Sequence, residues 1–135
     1  MIKVTIDTNV IISAILFGGK PEELIKLAAT QKIVLVLSHD ILAETAYVLR
    51  SKFNWENHKL EVVDAMFRQI ALIVTPQQRL KVIKTDDPDN RILECALEGS
   101  VDCIISGDKK HLLPLKNFRG IPILDPAGFI EQYQA

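Results

Sequence analysis

The 135-residue sequence has little of what marks the specialised protein classes. Its two cysteines, Cys95 and Cys103, form no CxxC pair and no Cys/His cluster, which argues against a disulfide scaffold or a structural zinc site. They read as reduced, buried core residues. The three histidines, His39, His58 and His111, show no paired ligand spacing. There is no glycine-rich phosphate loop, no dinucleotide-binding fingerprint and no defensible Ser/His/Asp arrangement. No apolar run reaches membrane-spanning length, and the start of the chain lacks a signal peptide's basic and apolar regions; a cytoplasmic protein away from the membrane is expected. Net charge is only −1. That excludes a protein that coats nucleic acid through bulk positive charge, but not a local basic rim around a cation-binding centre.

What is present suits one domain spanning 1–135: 48% hydrophobic and 24% charged residues, without repeats or low-complexity segments. The organising stretch is Val4-Thr5-Ile6-Asp7-Thr8-Asn9-Val10-Ile11. Its first half reads as a short buried strand and its second half as a helix opened by polar capping residues. The same alternation recurs along the chain. Ile33 to Leu37, Leu72 to Val74, Val101 to Ile105 and Ile121 to Leu124 read as strands. Leu80 to Ile83 reads as a further short extended piece. Helical patterns lie between, with Pro21 and Pro88 at helix starts and Ser38 as an N-cap. Strands alternating with helices predict an α/β protein with a parallel sheet covered on both faces.

Four acids stand out by position. Asp7 and Asp108 each end a buried strand, Glu44 interrupts an apolar helical face, and Asp89 sits in the first turn of a helix after Thr85-Asp86-Asp87-Pro88. In a parallel α/β domain the carboxyl ends of strands and the N-termini of the following helices share one edge. The four therefore converge there. Clustered carboxylates must be protonated or cation-bound to coexist, and an all-oxygen donor set suits Mg²⁺ or Mn²⁺. Each acid also has a structural explanation. Asp7 caps a helix, Asp89 supplies a helix N-terminal charge, Asp108 belongs to a turn, and Glu44 reaches solvent or pairs with Arg50. Asp86 and Asp87 read as loop acids.

On Ile6-Asp7-Thr8-Asn9-Val10, Glu44, Asp89-Asn90-Arg91-Ile92-Leu93-Glu94-Cys95-Ala96 and Ser106-Gly107-Asp108-Lys109, the sequence resembles PIN domains. The likeness is to the bacterial and archaeal toxin components of toxin–antitoxin pairs, and it covers essentially the whole chain. It implies a three-layer α/β/α sandwich and a Mg²⁺- or Mn²⁺-dependent endoribonuclease acting on single-stranded RNA. Members often act as dimers and are often held inactive by a cognate antitoxin. Carried over by position, Asp7, Glu44, Asp89 and Asp108 match the catalytic and metal-binding quartet, with Thr8, Asn9 and Ser106 in support. The proline of Asp86-Asp87-Pro88-Asp89 departs from the commoner Asp-Pro-Asp-Asp order, which leaves the neighbouring acids without an assigned role.

The implied chemistry is hydrolysis of an RNA phosphodiester by water whose pKa the bound cation lowers. Arg91, Lys109, Lys110 and His111 stand beside the acids and meet flanking phosphates, or else are solvated surface charges. Phe53 and Trp55 offer a base-stacking surface or, by preference, core or dimer contacts. The rival readings are a catalytically silent RNA- or protein-binding module and a structure-specific DNA nuclease. A phosphatase of the aspartyl type is disfavoured, because it needs an acid where Asn9 stands.

Overall fold

The structure, a computed structural model, describes residues 1–84 and 87–134. Thr85 and Asp86 of the acidic turn lie outside the described residues, as does the side chain of Asp87. The element order is β1 (Lys3–Ile6), α1 (Thr8–Leu16), α2 (Gly19–Ala29), β2 (Val34–Ser38), α3 (His39–Phe53), α4 (Asn57–Ile70) and β3 (Ala71–Val74). There follow α5 (Asp87–Glu98), β4 (Cys103–Ile105), a 3₁₀ turn (Leu113–Leu115), β5 (Asn117–Phe118), β6 (Ile121–Leu124) and α6 (Pro126–Gln134).

The strands form one sheet in the order β3-β2-β1-β4-β6-β5, parallel throughout except for the β5–β6 edge pair. Val4, Thr5 and Ile6 are consecutive and all buried, so β1 is covered on both faces, as befits a central strand of a parallel sheet. The architecture is the α/β/α sandwich expected. The main apolar core runs through β1, β2 and β4 and joins them to Ile92, Leu93 and Ala96 of α5. A second cluster, built on Ile12, Leu49 and Leu60, ties α1, α3 and α4 together. Trp55 packs against this second cluster and carries the Lys59 ammonium over its ring at 4.6 Å, which agrees with the packing role preferred from sequence.

The strand order decides where a ligand can sit. From β1 the chain winds outward through β2 and β3, then returns to place β4 on β1's other side. β1 and β4 therefore flank the switch point, the crevice in which open α/β sheets bind ligands. The register there is fixed: Ile6 is paired with Ile105, and the Asp7 amide donates to the Ile105 carbonyl at 3.0 Å.

Three sequence expectations differ in detail. Leu80 to Ile83 is not a strand, because α5 supplies its hydrogen bonds. The Leu80 amide donates to Glu94 at 2.7 Å, and the buried Asn90 amide pairs with both the N–H and the C=O of Ile83 at 2.8 and 2.6 Å. Side chains satisfy this backbone in place of a ladder. Helix α2 begins at Gly19, so Pro21 is its third residue, where a missing N–H still costs no intrahelical bond. The antiparallel β5 was not anticipated. It closes through Arg119-Gly120, both with positive φ, a two-residue hairpin whose only sequence signal is Gly120.

Candidate active site

Asp7 follows β1 directly. It caps α1, with Oδ1 accepting from the Val10 amide at 2.9 Å, and it is 3% exposed. Its other oxygen accepts a hydrogen bond from the Ser106 hydroxyl, which follows β4 and is fully buried. That hydroxyl in turn accepts from the Asp108 amide at 2.9 Å. Ser106 is therefore the bridge between the ends of β1 and β4. Burial raises the Asp7 carboxyl above its ordinary range; the bonds from Ser106, Val10 and Gly107 oppose this, and the nearby charge of Asp108 adds to it.

Glu44 enters from α3, whose start is fixed by the Ser38 hydroxyl accepting from the Ile41 amide. Asp89 enters from the third position of α5. Asp7, Glu44 and Asp89 line one cleft of about 190 Å³, with Thr8 and Asn9 also in its wall. Asp108 stands beside Asp89, with one carboxylate oxygen of each within 4.8 Å of the other. Burial pushes the Asp108 carboxyl up, but the neighbouring Asp89 side chain and the backbone N–H groups of Lys110, Leu112 and His111 outweigh it, and the net shift is downward. Carboxyls this close coexist by sharing a proton or a cation. All four acids picked from sequence thus lie around the same crevice.

The structure adds one residue to this region, Lys52, and gives another, His111, a different place from the phosphate contact expected of it. Its Nδ1 lies 3.3 Å from Asp89 and 3.5 Å from Asp108, and one donor atom from each of the three falls within 4.8 Å of the others. The signal was its i+3 spacing from Asp108. Lys52, on α3 two turns beyond Glu44, lines the acidic cleft with an exposed side chain. Its stripe with Glu44 and Val48 was the available clue.

Of the basic residues chosen from sequence, Lys109 and Lys110 are exposed beside Asp108. Arg91 is largely engaged internally. Its guanidinium lies 2.9 Å from the buried Glu94 carboxylate and donates to the Leu80 carbonyl at 3.1 Å. Arg79 approaches the same carboxylate at 3.3 Å. Arg50, the alternative partner for Glu44, donates instead to Asn57.

A family model for the PIN domain matches residues 3–110. The chain belongs to the PIN domain family. PIN domains are nucleases, hydrolases of phosphodiester bonds, and a cleft walled by acids at the sheet's switch point accords with that class. The uncharacterized protein MJ1680 of Methanocaldococcus jannaschii is 32% identical, over 98% of this chain and 92% of its own length. Among solved structures, VapBC-1 from nontypeable Haemophilus influenzae shares the PIN-like fold with a TM-score of 0.63. It covers 93% of this chain and 99% of its own at 16% identity, a likeness of fold. Among the described residues no helix is long and apolar enough to cross a membrane. Cys95 and Cys103 are free and buried, and burial pushes both thiols up to about 11, as reduced core residues should be.

Proposed function

We propose that this PIN domain is a metal-dependent endoribonuclease that cuts single-stranded RNA, with Asp7, Glu44, Asp89 and Asp108 as its metal-binding and catalytic acids. The observation that carries the reading is the convergence of Asp7, Glu44 and Asp89 on one cleft, with Asp108 and His111 grouped beside Asp89. A donor set dominated by carboxylate oxygens fits Mg²⁺ or Mn²⁺, and the His111 nitrogen beside it tilts the fit toward Mn²⁺. When bound, such an ion lowers the pKa of water and offsets charge developing on the phosphate.

The chain's own residues supply the rest. Asp7 is held in one orientation by Val10 and Ser106, so its oxygens need no reorganisation when substrate arrives. Thr8 and Asn9 line the wall beside it and orient water or carboxylate. Lys52, Lys109 and Lys110 attract the phosphates on either side of the cut.

The fold likeness to VapBC-1 supports the further reading that the protein is the toxin of a toxin–antitoxin pair, with a cognate antitoxin as partner and cytoplasmic RNA as target. Exposed Val62 and Met66, one turn apart on α4, accord with a homodimer or higher homo-oligomer.

The test is cleavage of an end-labelled single-stranded RNA by purified protein with Mn²⁺ or Mg²⁺. Chelator, Asp7→Asn and Asp89→Asn preparations run in parallel. Cutting lost in all three controls supports the reading. Cutting that persists in the mutants exposes a contaminant. No cutting and no rise in melting temperature with Mn²⁺ would leave a binding module instead.

A further inference from the structure

A second cavity, of about 390 Å³, adjoins the acidic cleft and shares three of its walls, Thr8, Glu44 and Pro88. Its remaining polar and aromatic lining comes from Asp40, Tyr47 and Arg91. Asp40, Glu44 and Tyr47 occupy positions i, i+4 and i+7 of α3 and so form one stripe, separate from the buried face of Ile41, Leu42, Thr45 and Leu49. Tyr47 belongs to neither apolar cluster and is 63% exposed, an aromatic ring presented beside a candidate active site. Side chains on a helix lean toward its N-terminus, which carries this ring toward Glu44 rather than away from it. From α5, Arg91 also lines the cavity; its guanidinium is held by Glu94 and the Leu80 carbonyl, and the side chain is 18% exposed.

The charges say what class of ligand fits. Two carboxylates, Asp40 and Glu44, stand in this wall; Asp40 Oδ2 accepts from the Arg79 guanidinium at 3.4 Å, and the lining's Arg91 is bonded to Glu94. With both guanidiniums engaged by carboxylates, the wall carries no net positive charge to draw a phosphate. A nucleobase needs none, because it is neutral and offers a flat face to an aromatic ring and to a guanidinium plane. Its edge also brings donors to a carboxylate: cytosine, adenine and guanine carry exocyclic amino groups, and uracil carries none.

We propose that this cavity is a nucleobase subsite, holding the base next to the cleaved phosphate between Tyr47 and Arg91, with Asp40 accepting from its amino group. The inference rests on the ribonuclease reading for its substrate, and it adds a base preference that the acids alone do not provide. Tyr47 is a positioning residue: it holds the base and touches no reacting atom.

Steady-state cleavage of short single-stranded oligo(C) and oligo(U) separates the possibilities. Tyr47→Ala is expected to raise KM for oligo(C) about tenfold, the scale of one lost base–aromatic stack, and to leave kcat nearly unchanged. Tyr47→Trp should restore KM, which a merely structural role would not predict. Asp40→Asn should erase the preference for oligo(C) over oligo(U). A parallel titration needs no cleavage: in a Tyr47→Trp, Trp55→Phe protein, oligo(C) should quench the new indole. Quenching without cutting by any preparation would sink the ribonuclease reading and leave the subsite standing. Cutting with an unchanged KM in Tyr47→Ala, or oligo(C) that leaves the indole unquenched, would overturn the subsite alone.

Discussion

The Ser106 hydroxyl donates to the Asp7 carboxylate across the seam between β1 and β4, and both groups are buried. The bond orients a candidate catalytic acid and joins the two strand ends at once. Ser106→Ala removes the donor, leaves a buried carboxylate oxygen short of a partner, and deprives the Asp108 amide of its acceptor. Loss of about 1–3 kcal/mol is expected, read as a lower urea midpoint with an unchanged m-value.

Asp7→Asn should have opposite effects on stability and activity. Burial holds the Asp7 carboxyl above its ordinary range, so folding favours the protonated form. Its contribution is therefore present at low pH and lost as pH rises from the unfolded carboxyl's range through the raised folded one. Asparagine caps a helix as well as aspartate and carries no charge. The metal-free Asp7→Asn protein is expected to melt higher than wild type at neutral pH, while cleavage and the stabilisation by Mn²⁺ both disappear. Differential scanning calorimetry with and without Mn²⁺ checks this.

Asp108 works the other way. Its carboxyl is held below the ordinary range, so its contribution is complete above the unfolded carboxyl's pKa and is lost as pH falls through the lowered one. In the metal-free protein, Asp108→Asn should cost stability at neutral pH and flatten the acid limb of the stability curve below about pH 4. Melting temperatures across pH 2 to 7 test the sign.

Lys52→Ala should leave the fold intact, since the side chain is exposed, and should weaken RNA binding through the loss of about one phosphate contact. A several-fold rise in KM at low salt, shrinking as salt increases, is the expected signature. An effect equal at all salt concentrations would mean that Lys52 does not meet phosphate.

Glu94→Ala removes the acceptor shared by Arg91, Arg79 and the Leu80 amide. About 3 kcal/mol of stability should be lost, because the Leu80 amide and two guanidinium groups lose a buried carboxylate acceptor. Chemical denaturation measures it directly.

Much of this was legible in the chain. The central strands β1, β2 and β4 announced themselves as short runs rich in Val, Ile and Leu, and the carboxyl ends of two of them carry Asp7 and Asp108 one and three residues on. Ser38 and Asp7 are N-caps, as their residue types suggest. Asp7 and Asp108 keep the structural roles their residue types suggest and also stand at the crevice. Asp7 caps α1 and lines the cleft; Asp108 accepts turn amides from Lys110 and Leu112 and also meets Asp89. What could not be read was set by contacts distant in sequence. Glu94 and Asn90 hold the Leu80–Ile83 backbone, a partnership no local pattern encodes, and so an apolar run that looked extended is a side-chain-pinned loop. Lys52, and the place of His111 between Asp89 and Asp108, escaped for a related reason: a single ammonium or imidazole gains meaning only from what the fold brings beside it.

The bond between Ser106 and Asp7 spans 99 residues. A ribosome releasing this protein has exposed Asp7 long before it has made the strand that completes the crevice. Until β4 docks against β1, the first acid lacks its Ser106 partner and Asp108 has no place beside it. The consequence is a built-in delay: a chain still in synthesis, or one nicked ahead of β4, carries Asp7, Glu44 and Asp89 but neither Ser106, which orients Asp7, nor Asp108.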